Sequence, residues 1–149
     1  AKAFNSKILV NDIYIKKSKF KNIKFVSLQT LAKKSDIISC HIHHTDETEK
    51  IISRQFLKKV KKNLILINTS RGEIIDEEQV IKFLKINKNS KYYTDVISNE
   101  IEGRKKNIIY QHRVKLRNLF ITPHIGGMTI EAQRLAYNRV IDRLQKKVF

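Results

Sequence analysis

Tryptophan is absent from this 149-residue chain, proline and cysteine each occur once, and glycine occurs only four times. A lone cysteine, Cys40, excludes an intrachain disulfide and favours a reducing, cytoplasmic compartment. No apolar run approaches the ~18 residues that a membrane helix needs, so no membrane partner is expected. The opening stretch AKAFNSKILVND has no signal-peptide core, because Asn5, Ser6 and Lys7 interrupt it. Acidic residues are scarce as well: 14 Asp+Glu against 31 Lys+Arg leave a formal net charge of +17. Such a surplus raises the question of nucleic acid. The lysines are spread over nearly every polar position, however, and neither an aromatic-interleaved run nor a Cys/His finger spacing accompanies them. A solvated basic surface is therefore expected, with a basic nucleic-acid-binding module kept as the weaker alternative.

What is present is a rhythm of short apolar runs and amphipathic stretches. Strands are expected at Lys7–Asn11, Lys24–Val26, Asp36–Ile42, Asn63–Asn68, Tyr92–Val96 and Leu119–Thr122. Several are continuous apolar runs, as in strands buried on both faces of a parallel sheet. Helices are expected at Leu28–Lys34 behind an N-cap Ser27, at Ser53–Lys61, and at Glu77–Ile86 behind Asp76. A last helix from about Thr129 carries the stripe Tyr137, Val140, Ile141, Leu144 and Val148. Strand–helix alternation of this kind predicts an α/β fold with a parallel sheet. One connection, 97–118, is too long to be a plain turn and carries Glu100, Gly103 and the basic run Arg104–Lys106.

Ligands of open α/β sheets bind beyond the carboxyl ends of the strands. Asp12 follows the first expected strand, Thr69-Ser70-Arg71-Gly72 the fourth, and Pro123-His124-Ile125-Gly126-Gly127 the last. Asp95 ends the fifth, and Glu100 lies just past it. Parallel strands would put Arg71, Glu100 and His124 on one rim. There an arginine can grip a carboxylate, a histidine can move a proton, and a carboxylate can fix the histidine tautomer. Taken singly, each is more readily a surface ion-pair residue, a loop charge or a structural histidine; their convergence favours chemistry.

The wording of these segments goes further. ILINTSRGEIID at 65–76, TDVISNE at 94–100, ITPHIGGMTIEAQ at 121–133 and SDIISCHIHHTDET at 35–48 closely resemble the NAD-binding domain of the D-isomer-specific 2-hydroxyacid dehydrogenases. The resemblance runs over nearly the whole chain and implies a Rossmann-like, doubly wound parallel sheet with NAD as cofactor. It implies that Arg71 anchors the carboxylate and carbonyl oxygen of a small 2-ketoacid or 2-hydroxy acid. By the same resemblance His124 is the general acid/base, paired with Glu100, and Asp12 binds the adenosine ribose hydroxyls. Thr69, Ser70, Asp95, Gly126 and Gly127 fall on cofactor-lining positions. A homodimer is implied for the full-length enzyme. Formate dehydrogenases of the superfamily carry Gln at the position of Glu100, so glutamate points to hydroxyacid–ketoacid chemistry. A non-catalytic, nucleotide-sensing interaction protein of the same superfamily is the second alternative.

Three departures stand out. His41-Ile42-His43-His44-Thr45 lacks the family's proline beside the nicotinamide, and its histidines have no second ligand pair that would make a zinc site. Ile101 replaces the proline that usually follows the glutamate. The G-x-G-x-x-G fingerprint is missing, and Ala1-Lys2-Ala3-Phe4 resembles the end of the helix that should follow it. Residues 1–149 therefore read as a partial dinucleotide-binding domain lacking the first strand and Gly-rich loop, with no substrate domain in this chain. The expected strand order leaves a gap between Lys7–Asn11 and Asp36–Ile42, and the fragment alone is expected to be inactive.

Overall fold

A computed structural model describes residues 5–20 and 22–148 of the chain. The expected helix remnant at Ala1–Phe4 lies outside them. Six short strands form two parallel ladders. β1 (Ile8–Val10) pairs with β2 (Ile23–Phe25), and β3 (Ile37–Cys40), β4 (Ile65–Asn68), β5 (Lys91–Thr94) and β6 (Leu119–Ile121) form a four-stranded sheet in that order. Among the described residues no ladder joins β1 to β3, and the break falls where the expected strand order leaves a gap.

Five helices accompany the strands: α1 (Leu28–Lys34), α2 (Arg54–Leu57), α3 (Glu77–Ile86), α4 (Ile108–His112) and α5 (Ile130–Val148). Their starts follow from side-chain chemistry. Ser27, Ser53, Asp76 and Asn107 each accept the backbone N–H three residues on, a cap worth about 1 kcal/mol. α2 is shorter than the expected 53–61 because Lys59 N–H turns back to the Phe56 carbonyl at 2.9 Å, tightening the chain before the fully buried Leu64. The connection 97–118 is not structureless. It holds 3₁₀ turns at Glu100–Glu102 and Arg104–Lys106, hinged on Gly103 at φ 106°, and then α4.

One face of the large sheet carries the core. Leu66, Tyr92 and Leu119 belong to one buried cluster with Phe56 and Leu57 of α2, Val80, Ile81 and Leu84 of α3, and Ile109 of α4. Each such side chain contributes roughly 1.5–3 kcal/mol of burial. The opposite face is more open: Ile37 and Phe120 are exposed, and Phe120 stacks on Tyr93 at 4.5 Å between ring centroids. The expected α5 stripe is helical, but Tyr137, Val140, Ile141 and Leu144 are exposed rather than packed, and the Val148 side chain lies outside the described ones. No helix among the described residues is long and apolar enough to cross a membrane.

Cys40 is buried on β3, and burial pushes its thiol up to about 12. The thiolate is the nucleophile, so the folded chain should resist iodoacetamide at pH 8 and react only after denaturation. Alkylation of the native chain at the rate of a free thiol would contradict this packing.

Candidate active site

Parallel pairing sends the ends of β4, β5 and β6 to one side, so Arg71, Glu100 and His124 follow three neighbouring strands. At the end of β4 the fully buried Asn68 shapes the turn. Its Nδ2 donates to the Arg71 carbonyl at 2.8 Å, and its Oδ1 accepts from both the amide and the hydroxyl of Ser70 at 3.1 Å. Thr69 is exposed and Ser70 partly buried. The exposed Arg71 side chain folds back, its Nη1 donating to the Ser70 carbonyl at 2.6 Å. The next residue has to be glycine, since a Cβ on Gly72 would sit 2.0 Å from the backbone carbon of Ile97. That approach presses the arginine turn directly onto the segment leading to Glu100.

Glu100 and His124 meet. His124 Nδ1 lies 2.6 Å from Glu100 Oε2, while Glu100 Oε1 accepts the Ile97 amide at 3.1 Å. An ionised carboxylate only accepts, so Nδ1 carries the proton and Nε2 is left for another partner. The His124 side chain is 46% exposed and that of Glu100 21%, a pairing at the rim open to solvent on the histidine side. Backbone strain accompanies the pair: His124 itself (φ 58°) and Asn99 beside Glu100 (φ 54°) are left-handed. Such residues persist when surrounding bonds hold them. Arg104 Nη2 supplies one of those bonds by donating to the Pro123 carbonyl at 2.9 Å.

Asp95 supplies others. Its Oδ1 accepts from the Thr122 hydroxyl and from the Ile125 amide at 3.0 Å, and its Oδ2 accepts the Gly126 amide at 2.8 Å. The sequence places Asp95 on the cofactor wall; in the structure its carboxylate is occupied by the histidine loop. A Cβ on Gly126 would stand 3.0 Å from Asp95 Oδ2, whereas Gly127 faces open space. Burial pushes the Asp95 carboxyl up, but the Thr122 hydroxyl, the Gly126 and Ile125 amides and nearby His124 outweigh it and hold it below its ordinary value. A depressed carboxylate stabilises the fold above its unfolded pKa, and that stability is lost as pH falls through the folded pKa. Asp95→Asn should therefore lower stability near neutrality by about 2–3 kcal/mol and flatten the acid limb of the melting profile. Equal melting temperatures at pH 7 for the two proteins would refute this bracing.

Asp12 stands apart, at the end of β1 on the smaller ladder. It is partly exposed, and its Oδ1 accepts the Tyr14 and Ile15 amides at 2.8 Å each. Those bonds, Ile15 first, hold its carboxyl below the usual range. No hydrogen bond or ion pair among the described residues links Asp12 or the Arg71 guanidinium to the Glu100–His124 pair. Sequence reasoning gave no site role to Asn68, Glu77, Arg104 and Thr122, whose importance lies in what they hold. The position of Asn68 at the end of the NLILIN run and that of Arg104 in the basic run were the available signals; for Glu77 and Thr122 the pattern gave none.

A family profile described as D-isomer specific 2-hydroxyacid dehydrogenase, NAD binding domain, matches residues 1–126. The hydroxypyruvate reductase of Thermotoga maritima is 35% identical over 135 residues, covering 85% of this chain and 40% of that protein. The glyoxylate reductase of Thermofilum pendens is 37% identical over 138 residues, covering 90% of this chain and 39% of that one. Among solved structures, the NAD-complexed D-isomer specific 2-hydroxyacid dehydrogenase from Lactobacillus delbrueckii ssp. bulgaricus superposes with a TM-score of 0.86 at 26% identity, over 98% of this chain and 47% of that one. The chain spans less than half the length of each of these relatives.

Proposed function

This chain belongs to the D-isomer specific 2-hydroxyacid dehydrogenase family, as its NAD-binding domain, and on that premise we propose that it serves the interconversion of a D-2-hydroxy acid and its 2-ketoacid. The observation that carries the reading is the Nδ1 bond of His124 to Glu100 at 2.6 Å, on the rim that Arg71 shares. With Nδ1 committed to the carboxylate, Nε2 is the atom that gives a proton to the ketoacid oxygen or takes one from the hydroxyl. Glu100 holds the tautomer and stabilises the imidazolium. Arg71 swings from the Ser70 carbonyl to the substrate carboxylate, where its planar fork makes two parallel bonds. Arg71 and His124 together fix which face of the carbonyl is presented.

The residues present suit NAD. Gly127 faces open space and a Cβ on Gly126 would crowd Asp95 Oδ2 at 3.0 Å, so bare backbone there offers a close approach. Asp12 is a partly exposed carboxylate acceptor suited to ribose hydroxyls, and Thr69 and Ser70 add hydroxyls beside Arg71. Bound NADH supplies the hydride. The substrate is a small 2-ketoacid or 2-hydroxy acid, the class that these residues can anchor and protonate. The test is NADH oxidation by the enzyme that carries this domain, offered glyoxylate, hydroxypyruvate and larger 2-ketoacids in turn. Turnover with at least one ketoacid is expected, and none with simple aldehydes lacking a carboxylate for Arg71. Comparable turnover of such aldehydes would overturn the anchor.

A further inference from the structure

Three consecutive backbone amides precede Glu100, and each donates to a carboxylate. Ile97 N–H goes to Glu100 Oε1 at 3.1 Å, Ser98 N–H to Glu77 Oε1 at 2.8 Å, and Asn99 N–H to Glu73 Oε1 at 3.2 Å. Glu77 does more than accept one amide. Its second oxygen accepts from Asn107 Nδ2 at 2.7 Å, and the same Nδ2 donates to the Ser98 carbonyl at 3.0 Å. The Ser98 residue is thus gripped at both its N–H and its C=O by one carboxylate–amide unit. That unit spans the first turn of α3 and the cap of α4.

We propose that Glu77, acting with Asn107, is a positioning residue for the Glu100–His124 pair: it fixes the Ser98 backbone and thereby the reach of Glu100 toward His124 Nδ1. This rests on the acid–base reading of that pair. The left-handed Asn99 lies between the gripped residue and Glu100, a conformation that surrounding bonds must hold. The chemistry requires a carboxylate. A glutamine could still accept the Ser98 amide, but its own NH₂ would face the NH₂ of Asn107, setting donor against donor. Burial works against the charge on Glu77 and raises its carboxyl above the ordinary value, while the bonds from Ser98 and Asn107 pull the other way. Glu77 is thus a partly buried carboxyl group, further disfavoured as a charge by Glu73, at a position where solvation would favour a neutral residue. Such a cost is expected where a site must be preorganised.

The experiment reads His124 directly, without turnover. Ring-¹⁵N spectra of this chain should show the Nδ1–H form of His124 as the dominant neutral species. Glu77→Ala and Glu77→Gln, with backbone amide spectra otherwise dispersed as in the parent chain, should lose that dominance, and the Ser98 amide should exchange with solvent faster. The exchange of partners in Glu77→Gln with Asn107→Asp restores a donor–acceptor contact and keeps the cap of α4. It should recover part of the Nδ1–H signature, which also covers the case of Glu77→Ala failing to fold. Glu100→Ala, which leaves Nδ1 without its side-chain acceptor, reports on the pair itself. If Glu77→Gln folds with an unchanged His124 spectrum while Glu100→Ala changes it, the acid–base pair stands and the positioning role is wrong. An unchanged His124 spectrum in Glu100→Ala would remove the pair, and this inference with it.

Discussion

Arg71→Lys is expected to cut kcat/KM for 2-ketoacid reduction by about a hundred- to a thousandfold in the enzyme that carries this domain. The substitution keeps the positive charge and discards the planar fork. A lysine ammonium can attract the substrate carboxylate as a point charge, yet it cannot bind both oxygens in one plane and so cannot fix the carbonyl relative to Nε2 of His124. The loss should fall on both KM and kcat. Gly72 and Asn68 hold the turn independently of the side chain, so the fold and the affinity for NADH should be unchanged. Steady-state kinetics with a fluorescence titration of NADH would separate the two effects. A variant with near-parental kcat/KM would take Arg71 out of the mechanism.

His124→Gln should cost about a hundred- to ten-thousandfold in kcat, the usual range for a lost general acid. Glutamine can occupy the space and bond to Glu100, but it has no proton to give at neutral pH. Binding of NADH and of the ketoacid should be nearly preserved, in contrast to Arg71→Lys. Glu100→Gln should be milder, because its amide oxygen still accepts from Nδ1–H while the charge that stabilises the imidazolium is gone. The order of severity, His124 over Glu100, follows from the proposed role of the first as the residue that reaches the reacting oxygen. Equal kcat values for the parent enzyme and His124→Gln would end the acid–base assignment.

The strands were readable because each is short and most are built on a compact apolar run. All six were found, and α1 and α3 have the expected ends because Ser27 and Asp76 announce them chemically. The connection 97–118 stands out in the sequence only by its length and its charged residues, for a physical reason. Three-residue 3₁₀ turns and a five-residue helix are too short to show any period, and a single asparagine cap is their only mark. The α5 stripe shows the opposite limit. Periodicity tells that the helix is amphipathic but not what its apolar face meets, and among the described residues that face stays largely exposed. At the candidate site, residues that could carry chemistry were legible from type and position. Those that hold them were not, since bonds such as Ser98 to Glu77 or Arg104 to Pro123 join residues 19 or more positions apart. Asp95 shows the boundary. Its place at the strand end was legible, and its engagement with the histidine loop required the fold.

The most direct test of the account follows a labelled hydride. The enzyme that carries this domain would be incubated with NADH carrying deuterium at both nicotinamide C4 positions and a reactive 2-ketoacid, and the product would be isolated and its C2 centre analysed by mass and by chirality. The account predicts the D-2-hydroxy acid with one deuterium at C2 for each NADH consumed, and its disappearance in His124→Gln. NADH left intact in the presence of every 2-ketoacid, or a product with no deuterium at C2, would contradict it.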